Sequence, residues 1–235
     1  MTPATRAEQL SANLATVRAR IRAAALQAGR GPDDVALVVV TKFFPASDVR
    51  LLAGLGVTEV GENRHQEAAA KALECADLGL RWHFIGGLQT NQAAAVARYA
   101  DVVASVDRPA LLGRLARGAE ESGRVVEVLL QVSLDPPGAD HRAGVAVEDL
   151  PALAAAVAEH DALALRGLMA VAPLGEDPEP AFARLARVRH SFLQEHPGAD
   201  VLSAGMSGDL EAAIAHGATH VRVGSAVLGS RPGVK

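Results

Sequence analysis

One cysteine, one tryptophan, one tyrosine and three lysines stand in a chain of 235 residues, and each scarcity excludes something. With Cys75 alone, no disulfide closes within the chain, so a reducing, cytoplasmic compartment is expected. Aromatic residues make up 3% of the sequence and the formal net charge is −4. No basic stripe with interleaved aromatics occurs, so no nucleic-acid partner is expected. No stretch of about 18 uncharged apolar residues occurs either, so no membrane span is expected. Near the N-terminus Arg6, Glu8, Arg18 and Arg20 interrupt any apolar run of the targeting kind. The lysines are Lys42, Lys71 and Lys235, whereas the other 20 of the 23 Lys and Arg residues are arginines. A sequence that chooses Arg for positive charge keeps Lys where a guanidinium cannot serve, and a Schiff base is one such place.

Hydrophobic residues form 49% of the chain, enough for a sizeable core. Leu10, Leu14, Val17, Ile21 and Ala24 recur at helical spacing, which predicts an amphipathic helix over Arg6–Gln27, stopped by Gly29, Gly31 and Pro32. Short β-branched runs follow at Ala36–Thr41, Thr58–Gly61, Arg81–Ile85, Val102–Val106, Val125–Ser133, Leu165–Ala170, Val201–Ala204 and His220–Gly224. Between them lie Ala- and Leu-rich stretches of helical length, among them Ala93–Tyr99, Pro109–Ser122, Leu150–Glu159 and Pro180–Glu195. Near-continuous apolar strands alternating with helices imply a parallel sheet. Eight such units predict an α/β chain folded as one (β/α)8 TIM barrel with an N-terminal amphipathic helix, a single domain over residues 1–235.

Chemistry in such a barrel sits at the C-terminal strand ends. The first strand ends in Thr41-Lys42 after the apolar run Ala36–Val40, where a lysine is partly desolvated and suited to imine chemistry. The alternative is a lysine that snorkels outward or pairs with a carboxylate. Gly205-Met206-Ser207-Gly208-Asp209 joins the seventh strand to a helix, and Ser207 fits an N-cap with an anion site behind it. Gly224-Ser225 ends the neighbouring eighth strand, and loops after strands seven and eight commonly hold phosphate in this architecture. Arg222 shares a strand face with Gly224 and points inward, toward either a ligand's acceptor or a barrel carboxylate such as Glu62. Cys75 reads as inert within a helix, His83 as a buried residue near the third strand end, and Tyr99 as remote from the mouth. His216 and His220 are split by Gly217, so no metal site is expected.

These residues resemble the pyridoxal phosphate homeostasis proteins (YggS-like), which look like the isolated barrel of the fold-type III enzymes typified by alanine racemase. The resemblance runs through Val40-Thr41-Lys42, Gly61-Glu62-Asn63, Trp82-His83-Phe84-Ile85-Gly86, Gly167-Leu168-Met169-Ala170, Gly205-Met206-Ser207 and Arg222-Val223-Gly224. It implies pyridoxal 5′-phosphate as cofactor, held as a Schiff base on Lys42. It places Asn63 near the ring hydroxyl, Ser207, Gly224 and Ser225 around the phosphate, and Arg222 against the pyridine nitrogen, with Met206 also among the cofactor-binding residues. Arg64, Gln92, Ser133 and Arg142 depart from the family pattern. The implied function is intracellular cofactor homeostasis without efficient turnover, in a monomer or weak dimer that hands cofactor to apo-enzymes. Two alternatives remain: a minimal fold-type III amino-acid racemase, and a lysine-dependent class I aldolase.

Overall fold

The computed structural model describes residues 4–135, 144–173, 175 and 177–230. The strands are β1 (Ala36–Val40), β2 (Glu59–Glu62), β3 (Arg81–Phe84), β4 (Val102–Val106), β5 (Val126–Gln131), β6 (Leu163–Met169), β7 (Val201–Ser203) and β8 (His220–Val223). They pair in chain order as a closed parallel barrel, with β8 returning to β1. The helices are α1 (Arg6–Gln27), α2 (Ala46–Gly54), α3 (His65–Glu74), α4 (Ala93–Ala97), α5 (Leu112–Glu121), α6 (Leu150–Val157), α7 (Pro178–Glu195), α8 (Leu210–Ala215) and α9 (Ser225–Leu228). The expected barrel and N-terminal helix are therefore both present.

Two apolar layers hold the helices on the strands. One joins the outer faces of β3 to β7 to the helices around them, with Phe84, Leu115, Leu130 and Phe182 at its centre. The other lies under α1, where Leu10, Leu14, Val17 and Ile21 meet Leu210, Val221 and Val227. Trp82 packs in this second layer, between barrel and helices. At the start of α1, the Thr5 hydroxyl accepts from the Glu8 amide while the Glu8 carboxylate accepts from the Thr5 amide, a reciprocal cap. α9 has a single turn, so α1 fills the place beside β8 where a full eighth helix would lie.

Strand β6 begins at Leu163, earlier than the expected Leu165, because Leu163 and Ala164 pair with Val126 and Glu127. Its pattern is broken by Arg166 and by a register shift beside Gly167. Gly167 has φ 147°, and a Cβ there would lie 1.9 Å from the Val201 carbonyl oxygen. Only glycine permits that approach of β6 to β7.

Apolar residues, including Val102, Ala104, Leu129 and Met169, pack together inside the barrel. A lower layer of charged side chains, near the strand starts, reaches across the barrel: Arg81 of β3 meets Glu127 of β5 and His220 of β8 approaches Glu59 of β2, strands that are not neighbours. Arg166 of β6 also approaches Glu127. His83 Nε2 lies 2.9 Å from Glu59 Oε2, and the His83 and His220 rings are 6.3 Å apart. His83 thus belongs to this lower layer rather than to the mouth. His216 pairs with Glu179 at 2.7 Å and not with His220.

Burial holds His220 below the ordinary histidine value, and the nearby His83 and Arg81 act in the same direction against Glu59 and Glu127. The unfolded chain therefore binds a proton that the folded chain resists. Stability is intact above about pH 6.5 and is lost as the pH falls through the ordinary histidine range. Thermal melts between pH 8 and about pH 5 are expected to show this decline, and His220→Gln is expected to flatten it.

Candidate functional site

Burial on both faces makes β1 almost wholly apolar, and the first polar side chains appear where it emerges at the mouth. Thr41 is buried and Lys42 half-buried. The chain then turns at once: the Phe44 amide donates to the Thr41 carbonyl at 3.1 Å. Phe43 adopts φ 71° and is the sole described non-glycine residue in the left-handed region. That conformation costs about 1–2 kcal/mol for a side chain with a Cβ. The Phe43 amide is held by Glu67 Oε1 at 2.6 Å, and the Arg64 guanidinium lies over the Phe43 ring at 4.9 Å.

A cavity of about 280 Å³ opens beside this turn, lined by Lys42, Met206, Ser207, Arg222, Gly224 and Ser225. Its apolar wall includes Val40, Phe44 and Ile85. The candidates from β1, β7 and β8 therefore meet in one place. Asn63 is the exception: it is not among the lining residues and packs against the backbone of the next strand end. A Cβ on Gly86 would sit 2.2 Å from the Asn63 carbonyl oxygen and 2.6 Å from its Oδ1.

One expectation requires correction, and one open alternative is decided. Ser207 does not cap α8. The Asp209 carboxylate accepts from the Met206 amide at 2.6 Å, closing a turn in which Ser207 sits, and the helix begins only at Leu210. Ser207 still faces its partner loop, since its Oγ accepts from Ser225 Oγ at 3.4 Å. Nor does Arg222 pair with Glu62. Arg222 Nη1 donates to the Ser203 carbonyl and hydroxyl, each at 2.7 Å, and Nη2 donates to the Ala170 carbonyl at 2.8 Å. Glu62 Oε1 instead accepts from Thr41 Oγ1 at 2.6 Å and Lys71 Nζ at 2.8 Å. Burial pulls the Arg222 guanidinium down to about 10, which still leaves it charged at neutral pH. Lys42 and Arg222 give the cavity a positive bias suited to an anion.

Tyr99 is not among the residues that line this cavity and stacks on His65 at 5.9 Å between centroids. Cys75 ends α3 rather than lying within it, and burial pushes its thiol up. Of the departures from the family pattern, Arg64 covers Phe43, Gln92 sits in the turn before α4, and the Ser133 hydroxyl accepts from the Asp135 amide at 3.4 Å. Arg142 lies outside the described residues. Among the described residues no cluster of three His, Cys, Asp or Glu could hold a metal ion. None of their helices is long and apolar enough to cross a membrane.

The model of the alanine racemase N-terminal domain family matches residues 9–232. A pyridoxal phosphate homeostasis protein from Pseudomonas aeruginosa is 45% identical over 222 residues, covering 94% of this chain and 96% of the relative. The chain belongs to the pyridoxal phosphate homeostasis family. Its Escherichia coli K12 relative of that name is 38% identical over 229 residues, covering 93% of this chain and 95% of the relative. Among solved structures, PipY of Synechococcus elongatus with pyridoxal phosphate bound aligns with a TM-score of 0.82 at 36% identity, covering 94% of this chain and all of PipY. Alanine racemase of Corynebacterium glutamicum shares the fold at a TM-score of 0.67 and 17% identity, and this chain covers 62% of that longer chain.

The Arg222 bonds tie β8 to β7 and to the end of β6, so truncating the side chain leaves buried acceptors without their donor. Arg222→Met is expected to lower the unfolding free energy of the ligand-free protein by about 1–3 kcal/mol in denaturant titrations. Arg222→Lys is expected not to restore it, because one ammonium lacks the fork that reaches both strands.

Proposed function

We propose that this protein binds pyridoxal 5′-phosphate and serves intracellular homeostasis of that cofactor, with Lys42 as the residue that holds it as a Schiff base. The observation that carries the reading is the meeting of Lys42 with Ser207, Ser225 and Arg222 around one cavity. When bound, the cofactor supplies an aldehyde for a primary amine and a phosphate dianion. The residues present match those two needs. Lys42 offers the amine, and the loops after β7 and β8 offer serine hydroxyls and glycine backbones close to a phosphate. Val40 and Ile85 provide apolar surface for an aromatic ring. Arg222 presents only donors, so it suits a ring nitrogen that keeps its lone pair.

The same cavity argues against an efficient racemase. Inverting an α-carbon needs a proton-transferring group on each face. Among the lining residues Lys42 alone can play that part; no Tyr, His, Cys, Asp or Glu is present. An arginine beside the ring nitrogen would also withhold the electron sink that such chemistry uses. Release and exchange of the cofactor, with apo-enzymes as recipients, fit this residue set better than turnover.

Borohydride reduction of the loaded protein is expected to place the label on the Lys42 peptide, and label mainly on Lys71 or Lys235 would overturn the assignment. A visible absorption band in the same sample separates this reading from a class I aldolase, whose lysine acts without a coloured cofactor. Phosphate recognition through charge-assisted bonds contributes about 1.5–3 kcal/mol per bond. Pyridoxal without its phosphate is therefore expected to bind far more weakly by fluorescence titration. With saturating cofactor, chiral chromatography is expected to show alanine and serine interconverting well below the ordinary enzyme range of about 1–10³ s⁻¹.

A further inference from the structure

Lys71, on α3, is 5% exposed and lies outside the set of residues that line the cavity. Its Nζ donates to the Thr41 carbonyl at 2.7 Å, to Glu62 Oε1 at 2.8 Å and to Glu67 Oε1 at 2.6 Å. An ammonium has three donors and no acceptor, so this set uses it fully. Each acceptor also leads back to the residues that flank Lys42. Thr41 is bound through its carbonyl by Lys71 and through its hydroxyl by Glu62. Phe43, in its left-handed conformation, is bound through its amide by Glu67. The backbone before and after Lys42 is thereby tied to one buried ammonium.

We propose that Lys71, together with Glu62 and Glu67, is a positioning unit for Lys42 that locks the flanking backbone and so sets how the Lys42 amine meets an aldehyde-bearing ligand. The inference rests on the reading of Lys42 as the Schiff-base residue. Stability alone is a poor reason for this cluster. Ammonium and carboxylate side chains at 7% and 1% exposure are expensive to desolvate, and apolar packing of equal volume often serves as well. Glu62 Oε2 is buried without any partner, and burial holds the Glu62 carboxyl above its usual range. The choice of lysine is also explained. Three acceptors converge on a single point, which a tetrahedral ammonium meets and a planar guanidinium fork does not. In a chain that places arginine at 20 of its 23 Lys and Arg positions, that geometry gives a reason to retain a second internal lysine.

The test compares pyridoxal 5′-phosphate with pyridoxine 5′-phosphate, which keeps the ring and phosphate but carries an alcohol instead of the aldehyde. Calorimetry on Lys71→Met is expected to show the aldehyde ligand weakened about tenfold or more, which corresponds to about 1.4 kcal/mol. Binding of the alcohol is expected to be unchanged. Lys71→Arg is expected to behave like Lys71→Met. An equal loss for both ligands would show a general structural role and overturn the proposal, and so would no loss for either. Should Lys71→Met fail to fold, Glu67→Ala removes the tie to Phe43 from a less buried position and is expected to give the same selective loss. Failure of the parent reading is seen separately, in wild-type protein whose borohydride label lies away from Lys42.

Discussion

The pairing of β8 with β1 is the contact on which the arrangement depends. Its register runs from Ala36 opposite His220 to Val39 opposite Val223. One step further, the Gly224 backbone lies against Val40, so closely that a Cβ on Gly224 would be 3.2 Å from the Val40 carbonyl oxygen. The two strands leave the barrel side by side, one into Thr41-Lys42 and the other into Gly224-Ser225. An amine from the beginning of the chain and a hydroxyl-bearing loop from near its end thus share one cavity. A one-residue slip in this register would exchange inward and outward faces along the strand. Arg222 would then turn away from Ser203 and Ala170, the acceptors that satisfy its buried charge.

The barrel interior divides its polar groups by height. At the N-terminal end, Glu59, Arg81, His83, Glu127, Arg166 and His220 neutralise one another across the barrel. Apolar side chains such as Ala104, Leu129 and Met169 fill the middle. At the C-terminal end Lys42 and Arg222 both line the cavity. Glu62 is near in sequence to this end but is drawn outward into the Lys71 cluster. Lys42 and Arg222 thus put two basic side chains at the mouth, the electrostatic basis for taking up an anionic ligand there.

The fold was legible because parallel strands buried on both faces carry near-continuous apolar runs, and β1, β4 and β5 show this plainly. Where polar residues enter the barrel, as at Arg166 in β6, the period fails and so did the expected boundary. The site was legible where one residue type at a strand end carries the chemistry, as with Lys42, Ser207 and Ser225. It was not legible where the partner is set by backbone geometry. The Asp209 turn displaced Ser207 from the cap, and the carbonyls of Ala170 and Ser203, invisible in sequence, took Arg222 from Glu62. The scarcity of lysine pointed to Lys71 as strongly as to Lys42. It was overlooked because Lys71 lies in a helix, and its contacts with Thr41 and Glu62 arise only when α3 folds back over β1 and β2.

The N-terminal helix has a part in the site that its amphipathic pattern alone does not reveal. Its apolar stripe explains why it docks, but its polar side chains decide what it holds. Arg20 donates to the Ser207 carbonyl at 3.1 Å and pairs with Glu211 at the start of α8. Asn13 donates to the Val227 carbonyl at 2.9 Å, and Arg6 donates to the Leu228 carbonyl at 3.1 Å while pairing with Asp48. These bonds reach the back of both loops that face the cavity: one holds the Ser207 carbonyl ahead of α8, and the others satisfy the last carbonyls that the short helix α9 leaves over. A one-turn helix such as α9 has little stability of its own. Its Ser225 is held at the mouth because α1 binds the carbonyls behind it, so the stiffness of the β8 loop derives from a helix that begins more than two hundred residues earlier in the chain.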